Sequence, residues 1–191
     1  MQQAAIEATA HEIIAAAEHQ LTHTRIEEWL YHDLFAWQWW LMLAVLIIPW
    51  FYWWKKVDRT RLLEITLLGL MVFIISSYLD AVLSELDLWV YHYWIIPLWP
   101  RLIAADWSVL PLTYMFIYQK YGSRWKVFIT AMTITSALYS FGGESFLMWI
   151  GVYELHGWQH YYSFPIYLAI GILVKWLTTF LKFRQEQAAA D

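Results

Sequence analysis

The chain has 191 residues, enough for one domain, and 61% of them are hydrophobic with a mean hydropathy of +0.42, too apolar for an ordinary soluble domain of this length. A net charge of −4 without a dense basic run excludes a nucleic-acid partner. The absence of Cys excludes disulfides, thiolate catalysis and Cys-based metal or iron–sulfur sites.

The N-terminal stretch MQQAAIEATAHEIIAAAEHQ lacks the positive n-region and compact apolar core of a secretory signal and reads as mature chain. Residues 1–34 follow a helical pattern: Ile6, Ile13, Ile14, Ala17 and Leu21 share a face, and Ile26, Trp29 and Leu30 repeat it. An amphipathic helix lying on the outer membrane surface is expected there.

Five apolar runs approach the ~20 residues needed to cross a hydrocarbon core. The first, residues 35–54, carries Trp37, Trp39 and Trp40 at one end and Trp50, Trp53 and Trp54 at the other, as two interfacial belts would. The second covers 62–83. The third covers 102–118, with 94–101 as an interfacial or re-entrant approach, and Pro97, Pro100 and Pro111 make it irregular. The fourth and fifth cover 127–150 and 164–183. The expected fold is therefore all-α, a polytopic bundle of about five transmembrane helices over residues 35–184, with 185–191 as a short tail.

Lys55, Lys56, Arg59 and Arg61 follow the first run, Lys120, Arg124 and Lys126 the third, and Lys182 and Arg184 the fifth, so nine of the twelve cations fall on one side. Since Lys and Arg are retained in the cytoplasm, residues 1–34 are expected outside the cell membrane and the C-terminus inside.

Charges within apolar spans are costly and so point to function. Asp80, Arg101, Asp106 and Glu144 all fall in the outer half. A 100° step puts Gly69, Ser76, Asp80 and Ser84 on one stripe, and Thr133, Ser136, Ser140 and Glu144 on another, beside Gly142 and Gly143. Small and hydroxylated residues line close helix contacts in membranes, so both acids should point inward. Pro111 frees the carbonyl of Trp107 beside Asp106.

These residues, with Ser76 and Ser140, predict an outer-leaflet polar cavity able to take an additional cation or proton. They also read as interhelical glue, with Arg101 paired to Asp106 or Asp80. The segments LDLWVYHYW and VYELHGWQHYYSFPIY are placed to close over the cavity. Glu64 near Arg61, and Lys175 reaching toward Lys182 and the headgroups, read as boundary residues.

All seven His residues fall on the predicted outer side, and His19 with His23, and His156 with His160, have i, i+4 spacing. On one helix face, His156 and His160 together with Glu154 or Glu144 would make a zinc-type site, although HGWQH contains a glycine and lacks a metalloprotease glutamate. The sequence leaves the cofactor unknown.

DLFAWQWW, SSYLD, the PRL stretch leading to Asp106, Ser108, Pro111 and Tyr114, and GVYELHGWQHYYSFPIY together resemble an uncharacterised group of tryptophan-rich multi-pass membrane proteins of spore-forming bacilli and clostridia. The resemblance covers roughly residues 30–180. It implies a membrane bundle and places Asp80, Arg101, Asp106, Glu144 and His160 in motif positions. The silhouette is also similar to porphyrin-binding tryptophan-rich sensory proteins, without their WxPP-type loop.

The leading expectation is a protein that binds or transports a small cation, proton or amphiphilic ligand. The alternatives are a lipid- or headgroup-modifying membrane enzyme using Glu144 or Asp80 as acid or base, and an assembly subunit. Expected partners are membrane lipids, a small ion or amphiphile, and a second copy or another membrane protein.

Overall fold

The computed structural model describes residues 2–97 and 102–190. Helix α1 (Gln2–Glu28) continues through a π-helical turn, Trp29–Asp33, and the chain then swings through 97° into α2 (Trp37–Lys56). At this corner Phe35 takes a left-handed φ of 67°, unusual for a bulky residue. Its ring lies 5.5 Å and 5.9 Å from the rings of Trp39 and Trp40, contacts that offset the strain.

A short 3₁₀ turn, capped by the Asp58 carboxylate accepting from the Thr60 amide, leads into α3 (Leu62–Glu85). Strand β1 (Trp89–Tyr91) follows. A π-helical segment, Ala105–Val109, then opens α4 (Leu110–Tyr121), after which α5 (Trp125–Ala137), a second π-helical segment (Leu138–Gly143) and α6 (Glu144–Trp149) form one unbroken helical run. Strand β2 (Tyr153–Leu155) precedes α7 (His160–Ala190). Apart from the two-stranded antiparallel ribbon, in which Val90 faces Glu154, the regular structure is helical. Each strand is entered through a left-handed residue, Asp87 at φ 56° and Gly151 at φ 74°, which such turns favour.

Helices α3, α4, α5 and α7 pack around a shared core, and α2 lies against the π-helical segment that opens α4. Ile65, Leu68 and Val72 of α3, Tyr114 and Met115 of α4, Phe128 and Met132 of α5, and Val174 of α7 fill that core. Gly69, on the stripe expected to be a close contact, lies so near Met115 that an added Cβ would sit 2.5 Å from its Sδ. The outer faces of these helices are also apolar: Leu63 (86% exposed), Phe51 (67%) and Leu138 (64%) point away from the bundle.

Among the described residues two helices, Arg59–Glu85 and His160–Ala189, are long and apolar enough to cross a membrane, and a third qualifies if the bent pair Thr9–Asp33 and Trp37–Lys56 is one span. The helix α1 exists as expected, and its apolar residues Ile13, Ile14 and Leu21 are exposed. The segment after β1 is fastened to the corner. Asp33 accepts from the Trp94 amide at 3.2 Å, while the indoles of Trp29 and Trp39 donate to the Ile95 carbonyl.

At the opposite end, Glu64 receives both guanidinium contacts of Arg61 (3.2 and 3.0 Å), the Tyr118 hydroxyl (2.5 Å) and Lys182 (3.3 Å). This joins α3, α4 and α7, so Glu64 is more than a boundary residue. Lys175 departs from expectation altogether. It is fully buried, its Nζ lies 3.8 Å from the ring centroid of Trp125 and 4.4 Å from that of Phe128, and it has no hydrogen-bond partner among the described residues. The interlocking of α5 with α7 leaves its stem no route outward, and two aromatic faces take the place of headgroups.

Candidate functional site

The ribbon covers one end of the bundle, and beneath it lies a cavity of about 320 Å³ walled by all five helical runs that follow α1. Asp80 from α3, Asp106 from the π-helical segment before α4, and Glu144 at the start of α6 all line it, as does Ser76. Each of these acids is at least nine-tenths buried. The remaining wall is largely apolar, with Met42 and Val45 of α2, Leu79 and Leu83 of α3, and Ile170 of α7 among its residues.

Local structure explains how three acids from distant positions share one chamber. On α3 the stripe Gly69, Ser76, Asp80 and Ser84 is buried throughout, as an undistorted helix requires. Ser136, Ser140 and Glu144 are spaced by four, which on an ideal α-helix drifts steadily around the axis. The π-helical segment Leu138–Gly143 widens the turn by i→i+5 bonding and keeps all three buried. Asp106 lies in the other π-helical segment and Glu144 directly follows the first, so both acids are positioned by helix irregularities of the kind that recur at functional sites.

The ribbon contributes two donors. Trp89 and Tyr91, two apart on β1 and therefore on one face, both reach Asp80 Oδ1, the indole at 3.1 Å and the hydroxyl at 2.5 Å. Burial, and then the Asp80 charge, pushes the Tyr91 phenol well above its ordinary range, so that it remains a donor. Tyr91 stacks on its cross-strand partner Tyr153 at 5.4 Å, which fixes the ring.

Glu144 is met from α7, where His160, Ser163 and Tyr167 follow helical spacing. His160 Nδ1 lies 2.8 Å from Oε2 and the Tyr167 hydroxyl donates to Oε1 at 3.2 Å, while Ser163 lines the same chamber and accepts from the Trp158 indole at 2.8 Å. Asp106 contrasts with both. The Ser76 hydroxyl lies 3.5 Å from its main-chain carbonyl, and its Oδ2 has no hydrogen-bond partner among the described residues. It feels the charge of Asp80 across the chamber.

Several expected residues lie elsewhere. Ser140 is buried, but its hydroxyl donates to the His160 carbonyl and tethers α7. The Trp107 carbonyl freed by Pro111 accepts from the Trp50 indole at 3.1 Å, so it braces α2. Arg101 lies outside the described residues. The expected group of His156, His160 and Glu154 is not assembled on one helix face, because His156 lies in the bend before α7 and His160 begins that helix. His156 turns to Asp87 at 2.9 Å, Glu154 pairs with His92 at 2.8 Å, and His160 pairs with Glu144. Among the described residues no group of His, Asp and Glu is arranged to hold a metal.

No protein family, curated protein or solved structure matches this chain.

Trp89, Tyr91, Ser163 and Tyr167 are site residues that the sequence marks only as members of the two segments placed to close over the cavity. The alternation of LWVYHYW and the i, i+4 spacing of Ser163 and Tyr167 carry the signal, but an excess of interfacial aromatics hides individual roles.

Proposed function

We propose that the chain is a multi-pass bacterial membrane protein of about five spans, related to the tryptophan-rich group it resembles. On this reading its chamber binds or transports a small amphiphile with a cationic head. The observation that carries the ligand reading is that three carboxyl-bearing side chains from three helices wall one largely apolar cavity in which Asp106 Oδ2 has no partner among the described residues. An unmatched buried acceptor favours a ligand that brings a donor, and an apolar wall favours one with a short hydrocarbon part.

The apolar coat of outward-facing residues on α2, α3, α5 and α7 supports the membrane reading, because helices facing lipid gain nothing from hiding such surface. The Trp-rich α2, and the continuous run formed by α5 and α6, supply further spans; at 1.5 Å per residue the latter reaches about 37 Å, enough to cross ~30 Å of hydrocarbon. The nine cations gathered at the end away from the ribbon support a cytoplasmic position for that end. With that orientation, the 97° corner is in keeping with α1 lying along the outer surface.

Retention in membranes under alkaline carbonate tests integration. With no native Cys, single cysteines at His92 and Arg184 report sidedness: an impermeant maleimide should label the first in intact cells and not the second. Binding of octylammonium to the purified protein tests the chamber, with octanol as the uncharged control. Asp106→Asn should weaken octylammonium about tenfold or more, as expected for loss of a charge-assisted hydrogen bond, and leave octanol unchanged. Equal binding of the two probes by the unmodified protein overturns the ligand reading. Transport adds the expectation that Asp80→Asn or Glu144→Gln abolishes flux in proteoliposomes.

A further inference from the structure

Helices α2 and α3 are separated, on the half of the bundle away from the ribbon, by a second recess of about 720 Å³. Its walls carry Ile47 and Phe51 of α2 and Leu70 and Phe73 of α3, and Trp107 and Met115 form its floor. Trp53 also lines it; that residue is 4% exposed, and its indole N–H has no acceptor among the described residues. Immediately beyond Trp53 come exposed Lys55, Lys56 and Arg59, the last held 5.2 Å above the Trp54 ring. Gln119 fixes this end of α2 by donating to the Lys56 carbonyl and accepting from the Asp58 amide.

We infer that this recess is a specific site for one anionic glycerophospholipid of the cytoplasmic leaflet. An acyl chain lies between α2 and α3, a glycerol ester carbonyl accepts from Trp53 Nε1, and the phosphate meets Lys55, Lys56 and Arg59.

The chemistry selects this occupant on three grounds. An indole N–H in hydrocarbon demands an acceptor, and the ester carbonyl is the acceptor that a lipid presents at the depth of an interfacial tryptophan. Clustered cations immediately cytoplasmic of a span attract anionic headgroups. The walls are bulky, whereas helices that dock on one another in membranes do so through small residues, and Gly69, the small residue at the recess, is already covered by Met115. A flexible acyl chain conforms to such walls where a second helix does not.

The inference rests on the membrane reading but not on the ligand reading of the chamber. The test is phospholipid retained by the detergent-purified full-length chain after exchange with phosphatidylglycerol or phosphatidylcholine, counted by native mass spectrometry. One phosphatidylglycerol per chain is expected, in preference to phosphatidylcholine. Trp53→Phe, which keeps the ring and removes the N–H, should lower retention about fivefold, the worth of one net hydrogen bond. Leu70→Trp, which fills the recess, should abolish it, and Ile134→Trp on another exposed face should leave it unchanged.

The inference is overturned by equal retention of the two lipids, by retention indifferent to both recess variants, or by a dimer that Leu70→Trp dissociates. If carbonate extracts the chain from membranes, both readings fall. If it remains integral and binds octylammonium while holding no lipid, this one falls alone.

Discussion

The Tyr91 hydroxyl on the ribbon donates to Asp80 Oδ1 on α3 across 2.5 Å, tying the cover of the chamber to its wall. Tyr91→Phe removes only that donor. It should lower stability by about 1–3 kcal/mol, the cost of stripping a partner from a buried acceptor, measured by thermal unfolding in detergent. Because Trp89 donates to the same oxygen, the double variant with Trp89→Phe should depart from additivity. Simple addition of the two losses counts against a shared network.

Glu64 gathers Arg61, Tyr118 and Lys182 at the other end. Glu64→Gln should destabilise the protein by about 1–3 kcal/mol and leave two cations facing a neutral amide. Tyr118→Phe should cost less. Limited proteolysis of the C-terminal end of α7, read by mass, should accelerate in Glu64→Gln, since Lys182 loses its anchor. An unchanged rate would contradict the latch.

Lys175 is buried against two rings with no hydrogen bond among the described residues. Replacing an unpaired buried ammonium with an apolar chain of similar length removes a desolvation penalty, so Lys175→Met should leave stability unchanged or raise it. Trp125→Leu, with Lys175 retained, should cost about 2 kcal/mol through the lost cation–π contact. In the Lys175→Met background the same change should cost distinctly less. Equal costs in both backgrounds would show that the ring and the ammonium are not coupled.

Asp33 at the α1–α2 corner has its carboxyl raised above the usual 3.8, chiefly by burial and opposed by the bond from the Trp94 amide. A raised pKa means that the folded corner holds a proton more tightly than the unfolded chain. Its contribution is therefore complete below 3.8 and is lost as pH rises through the raised value. Thermal stability should fall over that window in the unmodified protein. In Asp33→Asn, which can still accept from Trp94, that component of the decline should vanish; an identical pH profile would rule Asp33 out as its source.

Periodicity alone located the helical runs, because an apolar stretch near twenty residues and a 3.6-residue repeat are local properties of the chain. It also turned Ser76 and Asp80 inward on α3, where the helix is regular enough for phase to persist. The four-residue spacing of Ser136, Ser140 and Glu144 pointed to the same conclusion, but it holds only through the π-helical widening at Leu138–Gly143, whose hydrogen bonding no residue type announces. Three other outcomes depended on partners far away in sequence. Trp50 claimed the Trp107 carbonyl, Asp87 and Glu144 drew His156 and His160 apart, and the walls formed by α5 and α7 enclosed Lys175. Composition and repeat determined that this chain makes apolar helices with acids on their inner faces. Which donor meets which acid was decided by tertiary packing, since a hydrogen bond is set by distances of a few ångströms between groups that may lie sixty residues apart in the chain.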